Sequence, residues 1–222
     1  MKLQYLFSSV LLFACAAGSL FLFSMEMRPF VNPRFAELRA EGVVSATALG
    51  HGTSSYSKEI IMKDCLQGLI VLGRVEMFDI KNAVLAEKCR LRSADVVENT
   101  PTDSFAWAVK ALSSALLGKT ELLNTALVAS QRVGPNEQWI ARRRVEIAET
   151  FLASLDTTAL SAHDRDLTLL AGSYRGVRYL ARRYVTNPDF RSRITTVVEK
   201  LPAEQQRMFL ANIRRAMREN ET

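Results

Sequence analysis

The residues of this 222-residue chain that could do chemistry are few among imidazoles and thiols and many among arginines. Two histidines occur, His51 and His163. His51 lies in "GHGTSSYS", a Gly- and Ser-rich stretch that reads as linker. His163 lies on an apolar stripe, so a packed, hydrogen-bonded imidazole is expected there rather than a base or ligand. Its neighbours Asp164 and Asp166 fall off that stripe and are expected in solvent. No pair of His or Cys has the spacing of a metal site. Gly-x-Ser-x-Gly is absent, and no Cys-His arrangement can be placed. Gly118-Lys119-Thr120 has the ending of a phosphate-binding loop. That loop needs a Gly where Ser113 stands, and a strand where an apolar helical pattern stands. The triplet is therefore expected to be a hairpin turn, and the chain is read as a non-enzyme without metal or cofactor.

Charge is the second chemical signal. The formal net charge is +6, and most of the excess lies beyond residue 111. From Arg142 onward every basic residue except Lys200 is an arginine, the side chain that forks onto carboxylate or phosphate. Arg142-Arg143-Arg144 is followed by Glu146 and Glu149 at helical spacing, which predicts a solvated, salt-bridged face. Arg175, Arg178 and Arg182 recur at three and four and so share one helix face. With Arg183 beside them and Asp189 the one acid from Tyr174 to Arg193, they form a candidate surface for acidic glycan, anionic lipid headgroups or an acidic protein face. Simple solvation is the competing reading.

Cys65 and Cys89 raise the question of a disulfide. A turn near Arg74 would offset them by about 7 Å along their helices, at ~1.5 Å rise per residue. Bridged Cα atoms sit closer than about 7 Å, so free thiols are the expectation. Cys15 lies in "YLFSSVLLFACAAGSLFLF", Tyr5–Phe23, which has no charge and is about long enough to span a bilayer. Ala14-Cys15-Ala16 fits a signal-peptidase site, and Cys15 alone suggests a lipoprotein. The apolar run continues past both, so an uncleaved anchor is expected. Arginines on the far flank do not favour export of the downstream chain. An exported domain is expected because that is the usual fate of such segments.

The elements that must position these residues are helical. Residues 1–27 are read as anchor, 28–56 as a Pro- and Gly-containing linker with a short helix at Arg34–Ala40, and 57–222 as the folded domain. Apolar residues recur with a 3.6-residue period over Ser57–Leu72, Glu76–Arg92, Asp103–Leu117, Glu121–Val133 and Asn136–Leu152. Leu160, His163, Leu167, Leu170, Tyr174, Val177, Ala181 and Tyr184 form a stripe that predicts one long helix. Asn187-Pro188-Asp189 reads as the cap of the next helix, and Pro202 opens the last. Eight helices, hence four hairpins, follow the linker.

Pro101 and Pro135 lie 34 residues apart, the tetratricopeptide period. Counted from Ser104, Trp107, Ala111, Gly118, Leu127 and Pro135 fall where that repeat wants its Trp, small residue, turn glycine, large apolar residue and closing proline. Leu123 and Ser130 stand where it prefers Ala. The chain thus resembles a tetratricopeptide-like array with one recognisable unit. The resemblance implies a groove near Trp107 and Trp139 that receives protein partners. In "VGPNEQWI", Gly134 suits a helix C-terminus, Pro135 stops the helix, and Asn136 can cap the next. Trp139 and Ile140 are expected to turn inward, and Trp107 to be buried in its hairpin.

The block with Ser130, Gly134-Pro135-Asn136-Glu137, Trp139-Ile140 and Arg143 also resembles small membrane-anchored helical-repeat proteins of alphaproteobacteria. Those are often encoded near surface-polysaccharide machinery. The helix count, the tetratricopeptide-like unit and the charge-free run together lead to the expectation of an all-α, tetratricopeptide-like array of about four hairpins behind one N-terminal transmembrane helix. The expected protein is a scaffold for envelope or surface-polysaccharide assembly, single-pass in the inner membrane with its domain in the periplasm. The alternative is a cytosol-facing, Arg-rich binder of anionic lipid or nucleic acid. The even charge before residue 112 and the anchor argue against nucleic acid.

Overall fold

The computed structural model describes residues 2–31, 54–73 and 80–220. The short helix expected at Arg34–Ala40, His51 and most of the expected linker lie outside them. Among the described residues every regular element is a helix: α1 (Lys2–Val31), α2 (Ser55–Gly73), α3 (Ile80–Asn99), α4 (Ser104–Leu116), α5 (Thr120–Val133), α6 (Gln138–Thr150), α7 (Thr157–Ala171), α8 (Tyr174–Thr186), α9 (Pro188–Val198) and α10 (Ala203–Asn220). A short 3-10 turn at Leu152–Ser154 joins α6 to α7. The chain divides after Cys89 into two compact units.

In the first unit, α1 carries the span Phe7–Met27, long and apolar enough to cross a membrane and nowhere buried by the protein. Its Phe7, Phe13 and Leu20 are largely exposed. Such a surface is costly in water and favourable in hydrocarbon. At the end of the span, the Glu26 carboxylate accepts hydrogen bonds from the hydroxyls of Ser54 and Ser57. Ile61, Met62, Cys65 and Leu69 line the buried face of α2, and Leu85, Ala86 and Cys89 that of α3.

Cys65 and Cys89 form a disulfide with Cα atoms 5.6 Å apart, contrary to the free thiols expected. The error lay in the turn. With α2 ending at Gly73 and α3 starting at Ile80, the cysteines stand nearly equal distances from the connection. The expected offset therefore disappears.

In the second unit, Asp103 caps α4 by accepting from Ala106 N, and Gly118 turns the chain at φ +69. The residues Gly118-Lys119-Thr120 are thus the hairpin turn expected. α4 packs on α5 and α6 on α7, while α5 also meets α7 and α4 meets α6. This is the contact pattern of two stacked hairpins. Ala111, Leu123, Leu127 and Ser130 of the recognisable unit are all buried. Trp107 is not. It is half-buried, with its indole N–H donating to Pro101 O at 2.9 Å and Lys110 Nζ 4.7 Å over its ring. Phe105 takes the core position instead.

The long helix expected over Leu160–Tyr184 is two helices. Thr168 and Leu170 carbonyls accept the N–H of Gly172, which ends α7. The Ser173 hydroxyl accepts from Gly176 N at 3.1 Å and starts α8. A Cβ at Gly176 would meet the Leu170 and Ser173 atoms of this corner. The apolar stripe survives the break because both helices turn it onto one core. Leu167, Leu170, Val177, Leu180, Phe190, Ile194 and Phe209 pack together there. Asn187 caps α9 as expected, accepting from Asp189 N and Phe190 N. α8 packs more extensively on α10 than on α9, so the order of consecutive hairpins does not continue past α7.

Candidate functional site

Ionisable side chains converge inside the second unit, where α6, α7, α8 and α9 meet. Arg142 and Arg143 behave as the i,i+4 and i,i+3 pattern requires, pairing with Glu146 at 3.2 and 2.7 Å near the surface. Arg144 departs from it. Its side chain is 2% exposed and forks onto Asp166, itself 2% exposed. Nε donates to Oδ2 at 2.7 Å and Nη2 to Oδ1 at 2.6 Å. The remaining donors reach the Ser130 carbonyl and hydroxyl and the Gly134 carbonyl. Burial pushes the Asp166 carboxyl up, and the Arg144 fork pulls against it.

This explains the joint after α5. The Ser130 hydroxyl donates to Ser104 O at 2.7 Å, and the Ser104 hydroxyl bonds Glu137. A Cβ at Gly134 would strike Ser104 and Glu137. Gly134 is therefore required by close approach and not by a left-handed backbone, since its φ is −133. Glu137, without a side-chain capping bond, holds the position expected of Asn136.

Glu149 is the second node. Its carboxylate accepts from His163 Nε2 at 2.7 Å and from Arg193 at 3.1 and 2.6 Å, with Arg183 3.9 Å away. Its side chain is 1% exposed. Burial opposes ionisation here, but the hydrogen bonds from His163 and Arg193 and their positive charge hold the carboxyl at about 2. An ionised carboxylate only accepts, so His163 Nε2 carries the proton of that bond. His163 is thus buried and bonded, as expected. Asp166 corrects the expectation of solvent, whereas Asp164 is exposed.

His163, Asp166, Arg144 and Leu127 are among the residues lining a cavity of about 10 Å³. That is room for one water at most. His163 Nδ1, Tyr179 Oη and Arg183 Nε are buried without hydrogen-bond partners among the described residues. Arg142 stacks 4.4 Å over the Tyr179 ring, and burial with nearby Glu146 pushes the Tyr179 hydroxyl up. No group of three or more His, Cys, Asp or Glu able to hold a metal occurs among the described residues. Chemically, the arrangement joins helices by charge. Most of its strong donors are already directed at internal acceptors.

The arginine cluster is more paired than its sequence suggests. Arg182 meets Glu219 at 3.0 Å in an exposed pair. Arg183 is turned inward toward Glu149 and over the Phe190 ring. Arg191 donates to the Tyr184 and Val185 carbonyls at the end of α8. Arg175 and Arg178 have no carboxylate partner among the described residues. Glu149 and Glu219 stand more than 25 residues from the cluster's nearest members, so no local pattern could assign them.

Trp139 is 52% exposed and its ring centroid lies 4.9 Å from that of Phe105. Ile140 is buried as expected, and Trp139 corrects the expectation of an inward tryptophan. Trp107 follows Phe105 by two residues, so it points to a different side of α4 from the Phe105–Trp139 contact. Comparison with family profiles, curated proteins and solved structures finds no match to this chain.

Proposed function

We propose that this protein is a membrane-anchored scaffold that holds protein partners at the bacterial cell envelope, in surface-polysaccharide or related assembly. The observation that carries the reading is α1. Its 21-residue apolar span is nowhere buried by protein, while the charged groups inside the second unit are tied to one another. The setting in polysaccharide assembly rests on the resemblance of the Ser130–Arg143 block.

The Cys65–Cys89 disulfide supports an exported domain, because such bonds persist in oxidising compartments. It weighs against the second reading, a cytosol-facing binder of anionic lipid or nucleic acid. Partners would meet the exposed Trp139 on α6, the half-buried Trp107 on a different side of α4, or Arg175, Arg178 and Arg182 on α8. Arg183 belongs to the interior network and contributes little to such a surface. A periplasmic reporter fused after Thr222 should be active, and cross-linking from intact membranes should recover envelope proteins. A silent periplasmic reporter with an active cytosolic one would refute the exported topology.

A further inference from the structure

We infer that α10 lays one face on the anionic surface of the membrane that α1 enters. The helix buries Phe209, Ile213 and Ala216 and turns its other side to solvent. On that side Leu210 and Met217 are 52% and 49% exposed. They are seven residues apart and share a face. Arg207, Arg214 and Arg218 lie beside them at the same period, all exposed.

Among the described residues none of these three arginines has a carboxylate partner. Glu219 points toward Arg182 at the opposite flank, and Glu204, one turn before Arg207 at the start of the helix, is exposed and makes no ion pair with any of the three among the described residues.

Apolar side chains flanked by three arginines, against the single acid Glu204 at the helix start, make the pattern of a helix lying in a bilayer interface. The guanidinium groups reach phosphate while their methylene stems follow the apolar surface. A second copy of the chain fits poorly, since two such faces would oppose arginine to arginine. The tether makes the membrane the partner always within reach, so weak contacts are multiplied by effective concentration. Each arginine near an anionic surface contributes roughly fivefold in occupancy, hence about a hundredfold for three. This inference rests on α1 being embedded and adds a second, reversible membrane contact.

The test uses the full chain with Cys15→Ser and Leu210→Cys, labelled with a solvatochromic dye and reconstituted into vesicles. A Thr196→Cys label on the exposed face of α9 is the control. With phosphatidylglycerol present, the 210 probe should shift to the blue and be quenched by spin-labelled lipid; in pure phosphatidylcholine it should not. Raising salt should reverse the shift. Replacing Arg207, Arg214 and Arg218 by Gln should reduce docked occupancy on the order of a hundredfold. Should that variant misfold, the salt titration of the unmodified face still decides. A 210 probe that matches the 196 probe in anionic vesicles overturns the inference. So does a shift that follows protein density rather than lipid charge, which would assign the face to a second copy. Flotation of the same vesicles reports insertion of α1 separately.

Discussion

Replacing Arg144 with alanine gives the sharpest test of the buried network. The change removes two charge-assisted bonds to Asp166, at 2.7 and 2.6 Å. It also takes a donor from the Gly134 carbonyl and leaves a carboxyl whose side chain is 2% exposed. Removing one member of a buried pair costs about 3–5 kcal/mol, because the other is left uncompensated. In a unit of this size 1 kcal/mol moves Tm by about 3–4 °C, so Tm should fall by about 10–20 °C. Circular-dichroism melts and urea titrations of the full chain in detergent would measure it.

The pH dependence supplies a second readout. With Arg144 gone, only burial acts strongly on Asp166, and its folded-state carboxyl lies further above its unfolded value. Protonation then favours the fold, so Arg144→Ala should recover stability as pH falls through the carboxylate range. Pairing Arg144→Met with Asp166→Leu should restore most of the loss, since apolar replacement of a buried ion pair is close to neutral. A loss below about 1 kcal/mol in the single variant, or simple additivity in the double, would refute the reasoning.

Glu149 should behave in the opposite sense in acid. Its folded value of about 2 lies below the ordinary 4.5, a difference worth about 3 kcal/mol. That stability is present above pH ~4.5 and lost as pH falls toward 2; Glu149→Gln should flatten the acid limb of a stability–pH curve. Reducing the disulfide, which closes a loop across a separation of 24 residues, should cost about 3 kcal/mol, read from melts with and without reductant. Phe105→Ala should cost about 3–5 kcal/mol and Trp107→Ala clearly less, because Phe105 is buried and Trp107 is not. Equal losses would refute the placement of Phe105, rather than Trp107, in the core.

Helix existence was legible almost throughout, because period and caps act over neighbouring residues. The Asn187 cap and the Gly118 turn are local chemistry and read directly. The break at Gly172-Ser173 was hidden by the stripe from Leu160 to Tyr184. An apolar period reports which side faces the core, and two helices packed on one core keep it across a corner. The corner's own signals were Ser173 as a cap and the glycines on either side of it.

The site was less legible. Arg144 is one of three adjacent arginines, and nothing in their types marks which one points inward. The angle does: Arg144 falls between Ile140, Ala141, Ile147 and Ala148 on the apolar side of α6. Asp166 and Glu149 are assigned by packing across helices, with partners from 14 to 44 residues away. Trp107 misled because its repeat position predicts burial, while the neighbouring Phe105 occupies the space.

Glu149 also governs how the second unit can come apart. A stack of hairpins ordinarily couples each unit only to its neighbours, so its ends fray and its stability is a sum of local contributions. One carboxylate on α6 here receives a proton donor from α7 and another from α9, with a cation of α8 alongside. Detaching the last helices removes both Arg193 bonds and the Arg183 cation together, so partial opening forfeits most of the node at once. The C-terminal half should consequently exchange its amide hydrogens in one cooperative block, and a solenoid's graded loosening from the end is replaced by a single threshold.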